Sequence, residues 1–141
     1  MSGPANTRFS LAVHVLTLLA EHDPQPVSSE TAAGSAGTSP VHIRRVMSNL
    51  RNVGIVDSHA GAGGGWTLAR AARRITMADV WDAVYGGENI VSLHPEPNPA
   101  CAVGANIGAV LEDLSDKATE AARSELATVT LADVLSRTVP A

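Results

Sequence analysis

Ser39-Pro40-Val41-His42-Ile43-Arg44-Arg45-Val46-Met47-Ser48-Asn49-Leu50-Arg51-Asn52-Val53-Gly54 decides the fold, because one run carries a helix start, a helix stop and a polar face. Ser39 is a capping residue type, and Pro40 takes the first helical position, where an N–H would have no intrahelical partner. Gly54 closes the run, since glycine enters the left-handed conformation without a Cβ clash. The spacing predicts a helix to about Asn52, with Val41, Val46, Leu50 and Val53 pointing inward. His42, Arg44 and Arg45 then fall on the opposite side, with Ser39 at the mouth and Arg51 two turns on.

Upstream, Gly37 and Thr38 make a tight turn, and Ser28 caps a short second helix with Glu30 in its first turn. Residues 7–21 form a first helix whose apolar face is Phe9, Ala12, Val13, Leu16, Leu19 and Ala20, and Asp23-Pro24-Gln25-Pro26 ends it. Downstream, Ile55-Val56-Asp57-Ser58-His59 and Trp66-Thr67-Leu68-Ala69 are short strands around Ala60-Gly61-Ala62-Gly63-Gly64-Gly65, which makes a hairpin. Helix, short helix, glycine turn, capped helix and glycine-tipped hairpin together read as a winged helix-turn-helix. The fold class is therefore mainly α with a small β-hairpin.

Thr76 and Asp79 open a further helix as cap and capping-box acid, with Ile75 and Val80 as a staple, and Val129-Thr130-Leu131-Ala132-Asp133-Val134 repeats the device. After a Pro/Gly-rich loop, a long helix runs from about Ala102 to Ala127. Its stripe is Val103, Ile107, Val110, Leu111, Leu114, Ala118, Ala121 and Leu126. The stripe needs a partner, for which a symmetric homodimer is the economical answer and packing on its own domain the alternative. The expected organisation is a DNA-binding domain over 1–86, a loop over 87–101, and a dimerisation helix with a C-terminal helix over 102–141.

At 141 residues the chain is long enough for one domain with an appended element. It is 45% hydrophobic with 3% aromatics, a composition that favours helices. The longest apolar run, Leu11 to Ala20, is broken by His14 and Thr17, so neither a membrane span nor a signal peptide is expected. A single cysteine, Cys101, forms no intrachain disulfide and fits a cytoplasmic protein. The net charge of −4 divides into +3 over residues 1–74 and −7 over residues 75–141. A basic front half suits an anion-facing surface.

Placed on elements, the arginines acquire a chemistry. The third helix would enter a major groove of double-stranded DNA, where side chains near its N-terminus reach base edges. Arg44 and Arg45 can pair with guanine or clamp phosphate, Ser39 and the helix N-terminus suit phosphate, and Arg51 fits the backbone. The hairpin is no nucleotide-binding loop, since neither Lys-Ser nor Lys-Thr follows Gly65. It reads as a wing in which Gly63 and Gly64 let the backbone approach a phosphate, with Arg70, Arg73 and Arg74 just beyond. His14 is expected as partly buried packing, and Trp66, Trp81 and Tyr85 as core or pocket walls. Cys101 opens the long helix, where a thiol gains thiolate character; a redox or electrophile sensor and a small buried packing residue are the two readings. Cys101 with His94 is the one local thiol–imidazole pair, and it lacks an orienting third group, so an enzyme is not expected. The main rival to DNA binding is a winged-helix module for protein–protein assembly.

The stretches Ser39 to Val56, Gly61 to Arg70, Ile75 to Val84, and His94-Pro95-Glu96-Pro97-Asn98-Pro99-Ala100-Cys101-Ala102-Val103-Gly104 resemble, in order, the Rrf-two family of winged-helix repressors. That family includes the IscR, NsrR and CymR types, and the proline-rich segment looks like its YwnA-like branch. The resemblance spans nearly the whole chain. It implies a DNA-binding dimer with the long helix crossing its partner. Two such subunits would present their third helices to successive major grooves of a near-palindromic site, so the expected function is a repressor, with a redox or small-molecule effector acting near Cys101 or beside the long helix. The chain departs from the family pattern twice. His59-Ala60 stand where the wing usually carries a basic residue. The three loop cysteines that hold an iron–sulfur cluster in many members are reduced to Cys101, and one cysteine does not supply four ligands, so no cofactor or metal is expected. Ligation through His94 or a second subunit is the alternative.

Overall fold

The computed structural model describes residues 7–140. The order is α1 (Thr7–His22), α2 (Ser29–Ala36), α3 (Pro40–Asn52), β1 (Val56–His59), β2 (Gly65–Leu68), a 3-10 turn (Ala72–Arg74), α4 (Met77–Tyr85), α5 (Ala102–Leu126) and α6 (Leu131–Thr138).

The helix ends form where the sequence places them. Ser28 Oγ accepts the Thr31 N–H, Gly37 ends α2 at φ 71°, and Ser39 Oγ accepts the His42 N–H at 3.4 Å with Pro40 at the first position. At the far end of α3 the Ile55 N–H reaches the Leu50 carbonyl at 2.9 Å while Gly54 turns at φ 78°.

The faces needed correction. The buried residues of α3 are Ile43, Val46, Met47 and Leu50, whereas Val41 and Val53 are 56% and 52% exposed. At 3.6 residues per turn Val41 lies about 200° round the helix from Ile43, on the opposite side from the core. Val53 is already the C-cap, at φ −103°, and has left the helical stripe. On α1 the buried set is Ala12, Val15, Leu16 and Leu19, with Phe9, Val13 and Ala20 half-buried. His14 is exposed rather than packed, and its Nε2 shares a hydrogen bond with Ser35 Oγ at 2.9 Å.

β1 and β2 pair antiparallel from Val56 opposite Leu68 to His59 opposite Gly65. Val27 adds a bridge on the other side of β2, exchanging both backbone hydrogen bonds with Trp66 at 2.9 and 3.0 Å. The buried Trp66 indole N–H also donates to Ser29 Oγ at 3.0 Å, which pins the wing to the start of α2. Glycine is required where these strands approach others: a Cβ on Gly65 would lie 2.3 Å from the Val27 carbonyl oxygen, and one on Gly64 2.2 Å from that of His59.

Both capping boxes are closed, Thr76 with Asp79 and Thr130 with Asp133. The two helix starts bind each other, the Met77 N–H donating to the Val129 carbonyl and the Leu131 N–H to that of Ile75. α6 thereby returns to α1 and the 3-10 turn, and Leu131 is fully buried in the core formed by α1, α3, α4 and β1.

α5 leaves this core. Its foot is held by Arg123, which donates to both Asp82 carboxylate oxygens of α4, Nε at 2.9 Å and Nη2 at 2.6 Å. Asp82 raises the Arg123 pKa further, through that hydrogen bond first and its charge second. Its only two buried residues are Ser115 and Thr119, which bond the strap before it: Ser115 Oγ donates to the Val91 carbonyl and Thr119 Oγ1 accepts the Ile90 N–H, each at 3.0 Å. Ile107, Leu111, Ala118 and Leu126 are half-buried, while Val103, Val110 and Leu114 are 68%, 53% and 57% exposed.

Candidate nucleic-acid interface

With Ile43, Val46, Met47 and Leu50 inward, the helical period sets the rest of α3. Val41, Arg45, Ser48 and Asn52 form its outermost line. Arg44 and Arg51 lie on the flank toward the wing, and His42 and Asn49 on the flank toward the start of α1.

The two flanks are tethered. Arg44 Nη1 stands 3.5 Å from Glu30 Oε2 of α2. Arg51 Nη1 donates to Ser58 Oγ of β1 at 3.2 Å, and its guanidinium lies 5.8 Å from the centre of the Trp66 ring. Arg51 therefore joins α3 to the wing. On the other flank His42 Nδ1 shares a hydrogen bond with Thr38 Oγ1 at 2.9 Å, and His42, Arg45 and Asn49 line a cleft of about 600 Å³ shared with Arg8, Ser10 and His14 of α1. Arg45 differs from Arg44 and Arg51, since its exposed guanidinium has no hydrogen bond or ion pair among the described residues.

Beside α3 the wing turns through Gly61 at φ 89° and Gly63 at φ 77°, both exposed, with the Gly64 N–H closing onto the Gly61 carbonyl at 3.0 Å. His59 is exposed and shares a hydrogen bond with Thr67 Oγ1 at 2.8 Å. A recess of about 280 Å³ separates the wing from the Ser28–Glu30 start of α2.

Ser39, His42, Arg44, Arg45 and Arg51 thus share one helix, with Gly63 and Gly64 beside them. Arg70 is turned elsewhere: its Nε donates to the Gly54 carbonyl at 3.4 Å and Nη1 stands 3.5 Å from Asp79, so it ties the end of β2 to the starts of β1 and α4. Arg73 and Arg74 are exposed just after it. Val41, Ser48 and Asn52 were missed in the sequence; at about 100° per residue Val41 lies about 140° from Val46, so the helical period itself places it outward.

Cys101 is exposed, not buried packing, and sits at the N-cap of α5, which packs on α4. The backbone N–H groups of Gly104 first and Val103 second, at the start of α5, lower the pKa of its thiol.

A helix presented on its outer face, carried by a short preceding helix and flanked by a glycine-tipped hairpin, defines the winged helix-turn-helix class of DNA-binding proteins. The chain belongs to the Rrf2 (Rrf-two) family, whose model, described as an iron-dependent transcriptional regulator, matches residues 5–137. It is 34% identical over 131 residues to YwnA of Bacillus subtilis (strain 168), named as an HTH-type transcriptional regulator, covering 93% of this chain and 96% of that protein. Its structure is similar to that of CymR, the global cysteine regulator of B. subtilis, with a TM-score of 0.70 and 26% identity over 94% of this chain and 95% of that one. It is similar also to T. potens IscR, with a TM-score of 0.68 and 26% identity over 93% of this chain and 85% of that one. The chain is accordingly a DNA-binding transcriptional regulator of this family and not an enzyme. No helix among the described residues is long and apolar enough to cross a membrane.

The iron in the family's description finds no matching ligand set among the described residues. No group of three or more His, Cys, Asp or Glu that could hold a metal ion exists among the described residues, and Cys101 is the sequence's single cysteine. A cluster needs about four ligands, typically thiolates.

Proposed function

We propose that the protein is a homodimeric cytoplasmic repressor that holds two α3 helices in successive major grooves of a near-palindromic operator and works without a cluster. The observation that carries this reading is the outer line of α3, where Arg45 is exposed and has no partner among the described residues, on a helix whose other flank is braced to a glycine wing by Arg51. Phosphate and guanine are the partners such a guanidinium lacks. Exposed Val103, Val110 and Leu114 on one long helix support the dimer, because an apolar stripe left in water is stabilised by a second copy. Cys101, exposed and with its pKa lowered, is the candidate through which an oxidant or electrophile would act, since α5 is anchored to α4 by Asp82–Arg123.

Purified protein should shift DNA from upstream of its own gene, and binding should weaken steeply as salt rises, because arginines displace counterions from phosphates. Failure to shift any DNA at low salt would leave the protein–protein module. Leu114→Lys should convert the dimer to a species of 14.5 kDa in sedimentation, whereas an undiminished dimer would place the contact elsewhere.

A further inference from the structure

We infer that Val41 reads the 5-methyl group of a thymine, and so sets the base preference at one position of each half-site. This rests on α3 entering the major groove. Val41 is 56% exposed, although its type belongs in a core, and it lies two residues after the Ser39 cap, at the end of a reading helix that reaches base edges. Arg45, one turn later, is on the same outer line, and Arg44 is on the adjoining flank.

The chemistry of the groove supplies the missing partner. Thymine is the unmodified base that presents an apolar group on the major-groove edge, and side chains without polar atoms recognise it by contact. A cytosine amino group or a guanine carbonyl at that place would be desolvated against the Val41 methyls without a hydrogen bond, which disfavours both. Val41 is suited to discrimination because its branched side chain has essentially one χ1 rotamer in a helix, so little freedom is lost on docking. The cap holds the backbone that carries it, with Pro40 fixing φ and the His42 N–H bonded to Ser39.

The test removes one methyl at a time. An operator is first selected from random-sequence duplex DNA with the full-length protein. Each thymine is then replaced by deoxyuridine, which changes nothing but the 5-methyl group. For the parent, uridine at one position of a half-site should weaken binding about fourfold, the value of one buried methyl. For Val41→Ser the same replacement should change affinity by less than about 1.5-fold, the methyl's contact being already gone. A fresh selection with Val41→Ser should lose the thymine preference at that position alone. Val41 is outside the core, so its variants keep the fold, and unchanged thermal unfolding is the control. Tolerance of every uridine by the parent overturns the proposal, as does equal sensitivity in Val41→Ser, while the DNA-reading assignment stands in both cases. Selection of no sequence at all overturns that assignment and this one together.

Discussion

Ile43→Ala should destabilise the protein by about 2–5 kcal/mol, while Val41→Ala, two residues away on the same helix, should change stability by less than about 0.5 kcal/mol. Ile43 is fully buried and forms part of the core with Leu16, Met47 and Leu50. Truncating it removes buried methyl groups and leaves a cavity that the surrounding helices fill only partly. Val41 is 56% exposed, so its truncation takes almost nothing from the core. Urea titration followed by far-UV circular dichroism checks both, at one fixed protein concentration because association stabilises the folded state. The midpoint of Ile43→Ala should fall with its slope unchanged. Equal midpoints for the two variants would mean that α3 is rotated from the position described, and the outer line built on Val41 and Arg45 would go with it.

The ends of the elements were legible in the sequence and their faces less so. A cap is a local device: Ser39-Pro40, Thr76 with Asp79 and Thr130 with Asp133 need nothing beyond three neighbouring residues, and all three formed as read. A face depends on what the helix meets. On α3 the apolar type of Val41 and Val53 outweighed their position, although Ile43, Val46, Met47 and Leu50 keep the three- and four-residue spacing of one face and are the ones packed against α1 and α4. The same limit applies to Arg70. Its neighbours made it look like part of the wing, but its reach to Gly54 and Asp79 depends on contacts 16 and 9 positions away along the chain. Val27 gives no strand signal, standing alone between Pro26 and the Ser28 cap of α2, and its bridge to Trp66 exists because β2 arrives from far along the chain. α6 was grouped with the long helix by order in the sequence, whereas Leu131 is buried against α1 through the paired capping boxes.

Arg45→Ala should weaken operator binding by about 1–3 kcal/mol, more than Arg44→Ala does. Both residues are arginines on the exposed part of α3, so charge alone predicts equal losses. Their partners separate them. Arg44 stands 3.5 Å from Glu30 across an exposed contact, so to bind DNA it must give up that ion pair or share it. Such a pair is worth about 0–1 kcal/mol in water, and that amount is subtracted from whatever Arg44 contributes at the groove. Arg45 has no partner among the described residues and lies on the outermost line, so docking it breaks nothing within the protein. Salt titration of the two variants distinguishes the kind of contact. If Arg45 meets a phosphate, the slope of log affinity against log salt should become shallower by about one per half-site and every sequence should be weakened alike. If it pairs with guanine, the slope should stay near that of the parent and discrimination at one base pair should fall. Unchanged affinity and unchanged slope for Arg45→Ala would remove α3 from the groove. Arg51 is the internal control, because its bond to Ser58 and its place over Trp66 make it a brace between helix and wing. Its loss should weaken binding while lowering stability as well, a combination that Arg45→Ala, with no partner to lose, should not show.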